Sequence, residues 1–300
     1  MSAGDQVFRR LQSAARSTAA KNGTVTPTQE YLIRHTLESF LDRLTRTVHA
    51  EDFVLKGGIL LAAYGVRRPT KDADANAVNA DVTATHLAGV VRDLAAVQVE
   101  DGVAFDVSTI TIQEIREQAD YPGLRVRVVA GIGPWQGAAA WDVSTGDPIV
   151  PAPRMVRIDR VLGDPIELLG YAPETTIAEK GVTILERGIT STRWRDYIDI
   201  VQLARQGMDP DELLRSARAV ARYRGIDLQP LAPHVAGYGQ VGQARWAAWR
   251  RKERLEAISE ESLDAQLALV TSLLDPIFAL GIHTVNSDST DKRRRSSPSS

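Results

Sequence analysis

The stretch Lys56-Gly57-Gly58, followed by Ile59-Leu60-Leu61-Ala62-Ala63 and then by Thr70-Lys71-Asp72-Ala73-Asp74, decides how this chain is read. Phe53-Val54-Leu55 before it has the run of a short buried strand, and residues 59–63 read as the opening turns of a helix. The two glycines therefore fall where strand becomes helix. At such a point orphan N–H groups point outward, the helix dipole attracts anions, and a residue without Cβ lets a phosphate approach the backbone. Asp72 and Asp74 are two apart on the next expected strand, which puts both carboxylates on one face. Paired carboxylates beside a phosphate cradle are what magnesium-dependent phosphoryl or nucleotidyl transfer requires.

Simpler motifs do not account for these residues. A lone D-x-D is common in solvated turns. Asp72-Ala73-Asp74-Ala75-Asn76 opens like a calcium-binding EF-hand loop, but that loop needs Gly at its sixth position and Glu at its twelfth, where Ala77 and Thr83 stand. No G-x-x-x-x-G-K-[ST] surrounds Gly57-Gly58, so the pair is not a Walker loop. The order carries the signal: apolar strand, glycine pair, helix, acidic strand.

That order resembles the glycine hairpin and D-x-D motif of the polymerase-beta-like nucleotidyltransferases. The superfamily usually reads Gly-Ser, whereas Gly58 offers no hydroxyl, and the spacer to Asp72 is longer than the common one. Both departures fit one branch, the AbiEii/AbiGii toxin family, whose K-G-G and R-x-T-x-D-x-D are matched by Lys56-Gly57-Gly58 and Arg68-Pro69-Thr70-Lys71-Asp72-Ala73-Asp74. Two later segments are similar to family helices: Pro173-Glu174-Thr175-Thr176-Ile177-Ala178-Glu179-Lys180 and Arg193-Trp194-Arg195-Asp196-Tyr197-Ile198-Asp199-Ile200. The resemblance spans roughly residues 30 to 205.

The resemblance implies an α/β (α+β) fold with a mixed-sheet lobe followed by a helical lobe, and a two-metal magnesium site with a nucleoside triphosphate as co-substrate. Asp72 and Asp74 would be metal ligands, with Asp142 in the β-prone segment Ala138–Val143 as third acid. Lys56, Gly57, Gly58, Thr70, Lys71, Lys180 and Arg193 would hold the nucleotide, and Asp196 would orient Lys180 or the nucleotide. Asp199 would be structural. The family implies a tRNA or other RNA acceptor and a cognate antitoxin encoded nearby. Some members carry at the place of Thr70 a hydroxyl residue that the antitoxin phosphorylates. Two rivals remain open at this point: transfer to a small molecule or protein, and a non-catalytic RNA-binding module.

Composition sets limits. With no Cys among the 300 residues, disulfides and thiolate metal sites are impossible, and the five His lack metal-ligand spacing. No apolar signal core opens the chain and no run approaches the ~20 apolar residues of a membrane span, so no membrane association and a cytoplasmic location are expected; a monomer is expected as well. A net charge of −2 gives no global pull toward nucleic acid. Any RNA contact must be local, and Arg245, Trp246, Trp249, Arg250, Arg251, Lys252 and Arg254 mix cations with aromatic rings as a single-strand binder does. The same residues also suit a helix with a Trp core face.

Organisation follows from punctuation. Residues 1–48 are expected as N-terminal helices, with Asn22-Gly23 closing the first and Thr26-Pro27-Thr28-Gln29 opening the second as a capping box. Residues 49–150 alternate strand and helix, with Asp101-Gly102, Pro122-Gly123 and Gly146-Asp147 as turns. A helical lobe is expected over 151–284. The Ser- and charge-rich residues 285–300 are expected to be disordered.

Overall fold

The computed structural model describes residues 2–23, 27–115, 123–146 and 148–291. Two compact units form, Met1–Gly146 with Pro153–Gly170, and Asp147–Ala152 with Tyr171–Ser300.

In the first unit, helix α1 (Ala3–Asn22) starts on a Ser2/Asp5 capping box and ends at Gly23, whose φ of 64° is the left-handed turn glycine adopts without strain. Helix α2 (Thr28–Leu44) departs from expectation: its N-cap is Pro27, with no side-chain capping bond. Thr26 lies outside the described residues. Proline lacks an N–H and fixes its own φ, so Pro27 can open the helix by accepting through its carbonyl, which takes the Glu30 N–H at 3.0 Å. Tyr31 ties the two helices by donating to the Thr18 hydroxyl at 2.6 Å.

Strand β1 (Phe53–Lys56) runs into a four-residue helix α3 (Gly57–Leu60), then a 3-10 turn over Leu61–Tyr64 closed by Gly65. After β2 (Ala73–Ala77) come helix α4 (Ala84–Ala96) and strands β3 (Ala104–Ile115), β4 (Gly123–Ile132) and β5 (Trp135–Ser144). Residues 154–170, expected within the helical lobe, instead form β6 (Arg154–Ile158) and β7 (Ile166–Gly170). They complete a seven-stranded mixed sheet of order β3-β4-β5-β2-β1-β7-β6. Strand β7 is parallel to β1, a partner over a hundred residues earlier, so the local pattern could not announce it.

Alternation in the strands sorts the two faces of the sheet. Trp141, between the acid-facing positions of β5, is 1% exposed, packs against Phe53 at 4.7 Å and meets Phe40 of α2 at 5.5 Å between ring centroids. Helix α2 thus covers the face opposite Asp142. Asp101 is more than turn punctuation: it is buried and takes Arg43 at 2.9 and 3.0 Å on its two oxygens and the Ser39 hydroxyl at 2.5 Å. Buried ions persist when paired and hydrogen-bonded in this way. Pro122 and Asp147, the other turn residues singled out, lie outside the described residues.

The second unit is helical: α5 (Pro173–Arg187), α6 (Trp194–Arg205), α7 (Pro210–Tyr223), α8 (Ala232–Val235), α9 (Tyr238–Glu253) and α10 (Leu263–Asp291). Helix α7 opens on Asp209, which caps two N–H groups, with Pro210 at the first turn. Helix α10 runs to Asp291, so residues 285–291 of the expected disordered tail are helical, while Lys292-Arg293-Arg294-Arg295 lies outside the described residues. The stretch Glu256–Gly281 is, against expectation, long and apolar enough to cross a membrane by length and composition alone. Leu263, Leu267, Val270, Leu274 and Phe278 on it are buried inside this unit, and buried Gln266 donates to the Tyr197 carbonyl at 3.0 Å. A core helix passes the same test as a membrane span.

Candidate active site

The glycine turn is built by two demands. Gly57 has φ +69°, and a Cβ placed there would lie 1.9 Å from Oδ2 of Asp74. Only glycine meets both the dihedral and the approach. A Cβ on Gly58 would come within 2.8 Å of the Thr70 hydroxyl and 3.1 Å of Arg68 Nη1. The space that the usual serine would fill is therefore taken by Thr70. That hydroxyl is within 3.2 Å of the Asp72 carbonyl and 3.3 Å of its carboxylate.

Sheet register aligns the chemistry. Lys56 on β1 stands opposite Asp74 on β2, Asp74 opposite Asp142 on β5, and Asp142 opposite Arg125 on β4. Residues paired in register share a face and sit about 5 Å apart at Cβ, so one row of four alternates as cation, two anions, cation. Asp72 lies just ahead of β2 rather than on it, yet its carboxylate reaches the row: Arg125 Nη2 is 3.4 Å from Asp72 Oδ2. Arg125 binds Asp142 with both arms of its fork, at 2.6 and 2.5 Å. Hydrogen bonding to Asp142 first, and then the charges of the neighbouring aspartates, raise its affinity for its proton despite partial burial.

Arg125 is the member of this row that reading the sequence missed. Leu124-Arg125-Val126-Arg127-Val128 shows the alternation of a strand, but nothing in it tells Arg125 from Arg127. Register alone sets Arg125 against Asp142 and Arg127 against Ala140.

A single cationic nitrogen of Arg125 gathers carboxylates from two segments, Asp72 and Asp142. Among the described residues no cluster of three or more acidic or histidine side chains is drawn together as a ready ligand set. The gathering is done by Arg125.

In the second unit, Lys180 of α5 forms ion pairs with Asp196 and, at 3.0 Å, with Asp199, both on α6. Arg193 Nε donates to Asp196 at 2.8 Å. Asp196 is 4% exposed and Asp199 fully buried. Burial pushes the Asp196 carboxyl upward, but Lys180 and then Arg193 more than offset this and hold it well below the usual carboxylate range.

Residues 39–269 match the family described as "Nucleotidyl transferase AbiEii toxin, Type IV TA system". This chain belongs to that family. The AbiEii match covers both the glycine turn with its acidic row and the Lys180 cluster of α5 and α6. Among solved structures, JHP933 from Helicobacter pylori is 14% identical with a TM-score of 0.45, over 89% of this chain and 97% of that one. A provisionally assigned nucleotidyltransferase from H. pylori is 14% identical with a TM-score of 0.44, over 87% of this chain and 96% of its own. No curated protein matches the chain.

The aromatic and basic residues of α9 divide between core and surface. Trp246 is fully buried, stacks on Trp249 at 5.4 Å and donates to the Glu260 carbonyl at 3.2 Å. Arg250 is buried and bonded to Ser259 at 2.8 Å. Arg245, Arg251, Lys252 and Arg254 remain exposed. An open aromatic stacking platform is therefore not what α9 offers.

Proposed function

We propose that this AbiEii-family toxin transfers a nucleoside monophosphate from a nucleoside triphosphate to an RNA acceptor, the 3′ end of tRNA, and so blocks translation in the cytoplasm until its antitoxin acts. The acidic row beside the glycine turn carries this reading. An acceptor hydroxyl oxygen attacks the α-phosphorus and gives up its proton to solvent, the bond to the β-phosphate oxygen breaks, and pyrophosphate leaves with its electron pair. Asp72, Asp74 and Asp142 would hold magnesium, which supplies charge neutralisation and lowers the pKa of the attacking hydroxyl. The N–H groups of the turn at Gly57 and Gly58 bind phosphate oxygens, with Lys56, Thr70 and Lys71 beside them, and fixed donors of this kind need no reorganisation as charge develops. Lys180, Asp196 and Arg193 are assigned to the nucleotide by the family resemblance. Their buried ion pairs also support a purely structural role.

Incubating the full chain with total tRNA and each α-labelled nucleoside triphosphate in turn tests the proposal. Label is expected in an RNA band, and Asp72→Ala is expected to remove it while thermal stability stays near that of the wild type, since the Asp72 side chain is over a third exposed and its carboxylate makes long contacts, 3.4 Å with Arg125 and 3.3 Å with the Thr70 hydroxyl. Label in protein or a small molecule alone, or full transfer by Asp72→Ala, would sink the reading.

A further inference from the structure

The row Lys56, Asp74, Asp142, Arg125 has a neighbour on the same face of the sheet. Gln113 of β3 stands opposite Arg125, and one step along, Thr111 stands opposite Arg127, which in turn faces Ala140 of β5. Residues two apart on a strand share a face and lie about 7 Å from one another. Arg127 is therefore beside Arg125, with Ala138 and Ala140 next to it on β5. Thr111, Gln113, Arg127 and Ala138 are all exposed, whereas Val126 and Val128 on the opposite face are buried. An open strip of β3, β4 and β5 thus continues the acidic row.

The two arginines differ in what they already hold. Arg125 is committed to Asp142 and Asp72. The Arg127 guanidinium has no ion pair or hydrogen bond among the described residues. Nor do the acids of β3 compensate it: Asp106, on the same face opposite Val129, uses Oδ1 on the N–H and hydroxyl of Ser108, and Glu114, opposite Leu124, belongs to the other face.

Strand order gives the strip its place in the proposed reaction. The glycine turn follows β1, and β2, β5, β4 and β3 lie progressively farther from it. Attacking and leaving oxygens stand roughly in line in phosphoryl transfer. With the triphosphate held at the turn, the acceptor comes over Asp142 from the side of β4 and β3. An RNA acceptor carries a phosphate at every residue of its backbone, and a strand entering there meets an exposed cation that no carboxylate has claimed.

We propose that Arg127 is a positioning residue for the acceptor, binding a backbone phosphate near the 3′ end of the RNA strand as it lies along β3, β4 and β5, and so setting the reactive hydroxyl over Asp142. This inference rests on the proposed RNA acceptor.

Two measurements on the full chain test it: fluorescence anisotropy with a 5′-labelled single-stranded oligoribonucleotide across a salt series, and steady-state transfer to total tRNA. Arg127→Gln is expected to weaken oligoribonucleotide binding about fivefold through loss of a charge-assisted hydrogen bond. The slope of log affinity against log salt should become shallower by about 0.7, the share of one phosphate on a single strand. The KM for tRNA should rise in step, while the KM for the nucleoside triphosphate and the melting temperature stay at wild-type values, because Arg127 is exposed and faces only Ala140 on β5. Arg127→Lys should restore most of the binding, since a point charge suffices for one phosphate. Arg16 is an exposed arginine of α1, a helix that packs through Val7 and Leu11 on Ala130 and Ile132 of the opposite face. Arg16→Gln removes the same charge and should leave binding unchanged. Affinity and tRNA KM within twofold of wild type in Arg127→Gln, or an equal loss in Arg16→Gln, overturns the role of Arg127 and leaves the RNA acceptor standing. A wild-type chain that neither binds the oligoribonucleotide nor labels tRNA overturns the proposed function, and this inference with it.

Discussion

Gly57 shows how narrowly a single position can be set. Its φ of +69° costs a residue with a side chain about 1–2 kcal/mol, and a Cβ 1.9 Å from Asp74 Oδ2 forces that carboxylate out of line as well. Gly57→Ala is accordingly expected to lose about 1–3 kcal/mol in urea denaturation and essentially all transfer activity. An active, fully stable variant would mean that the turn tolerates a different path. The glycine pair and both acids of D-x-D were legible in the sequence because their chemistry depends on residue type and short spacing. Arg125 was not. Its meaning comes from lying opposite Asp142, a relation made by strand pairing across seventeen residues.

At the scale of elements, α5 and α6 are joined by charge as well as by apolar packing. Lys180 stands between two carboxylates that are almost wholly buried, so its removal strands both. Breaking a buried pair by deleting one partner costs roughly 3–5 kcal/mol. Lys180→Ala should therefore lower the melting temperature markedly, and any loss of transfer in it must be weighed against unfolding. An unchanged melting temperature would show that the pair contributes little to folding and leave the nucleotide as its partner. The pH dependence has a definite sign. The folded Asp196 carboxyl lies below its ordinary 3.8, so its stabilisation is complete above that value and is lost as the pH falls below it, because the unfolded chain then binds the extra proton. Urea denaturation between about pH 5 and pH 2 should show a steeper decline in the wild type than in Asp196→Asn. Parallel curves would contradict the depressed value.

For the whole molecule, the buried residues of α10 extend through Phe278, which fixes what can be removed from its end. A chain ending at Val285 retains all of these and is expected to keep the wild-type melting temperature and, if the basic tail makes no contact with RNA, its transfer activity. A drop in transfer alone would assign the tail to the acceptor. By itself the sequence determined the existence and order of most elements, the glycine turn, the acids and the family, because periodicity, punctuation and short motifs are written within a few residues. Strands β6 and β7 were missed, since a strand is stabilised by a neighbour that can lie anywhere in the chain. Only the tertiary structure decided that Lys56, Asp74, Asp142 and Arg125 form one row, that Thr70 fills the space beside Gly58, and that Trp246 belongs to a core. Each of these depends on which distant groups share a face, and that is fixed by register and packing rather than by the identity of any one residue.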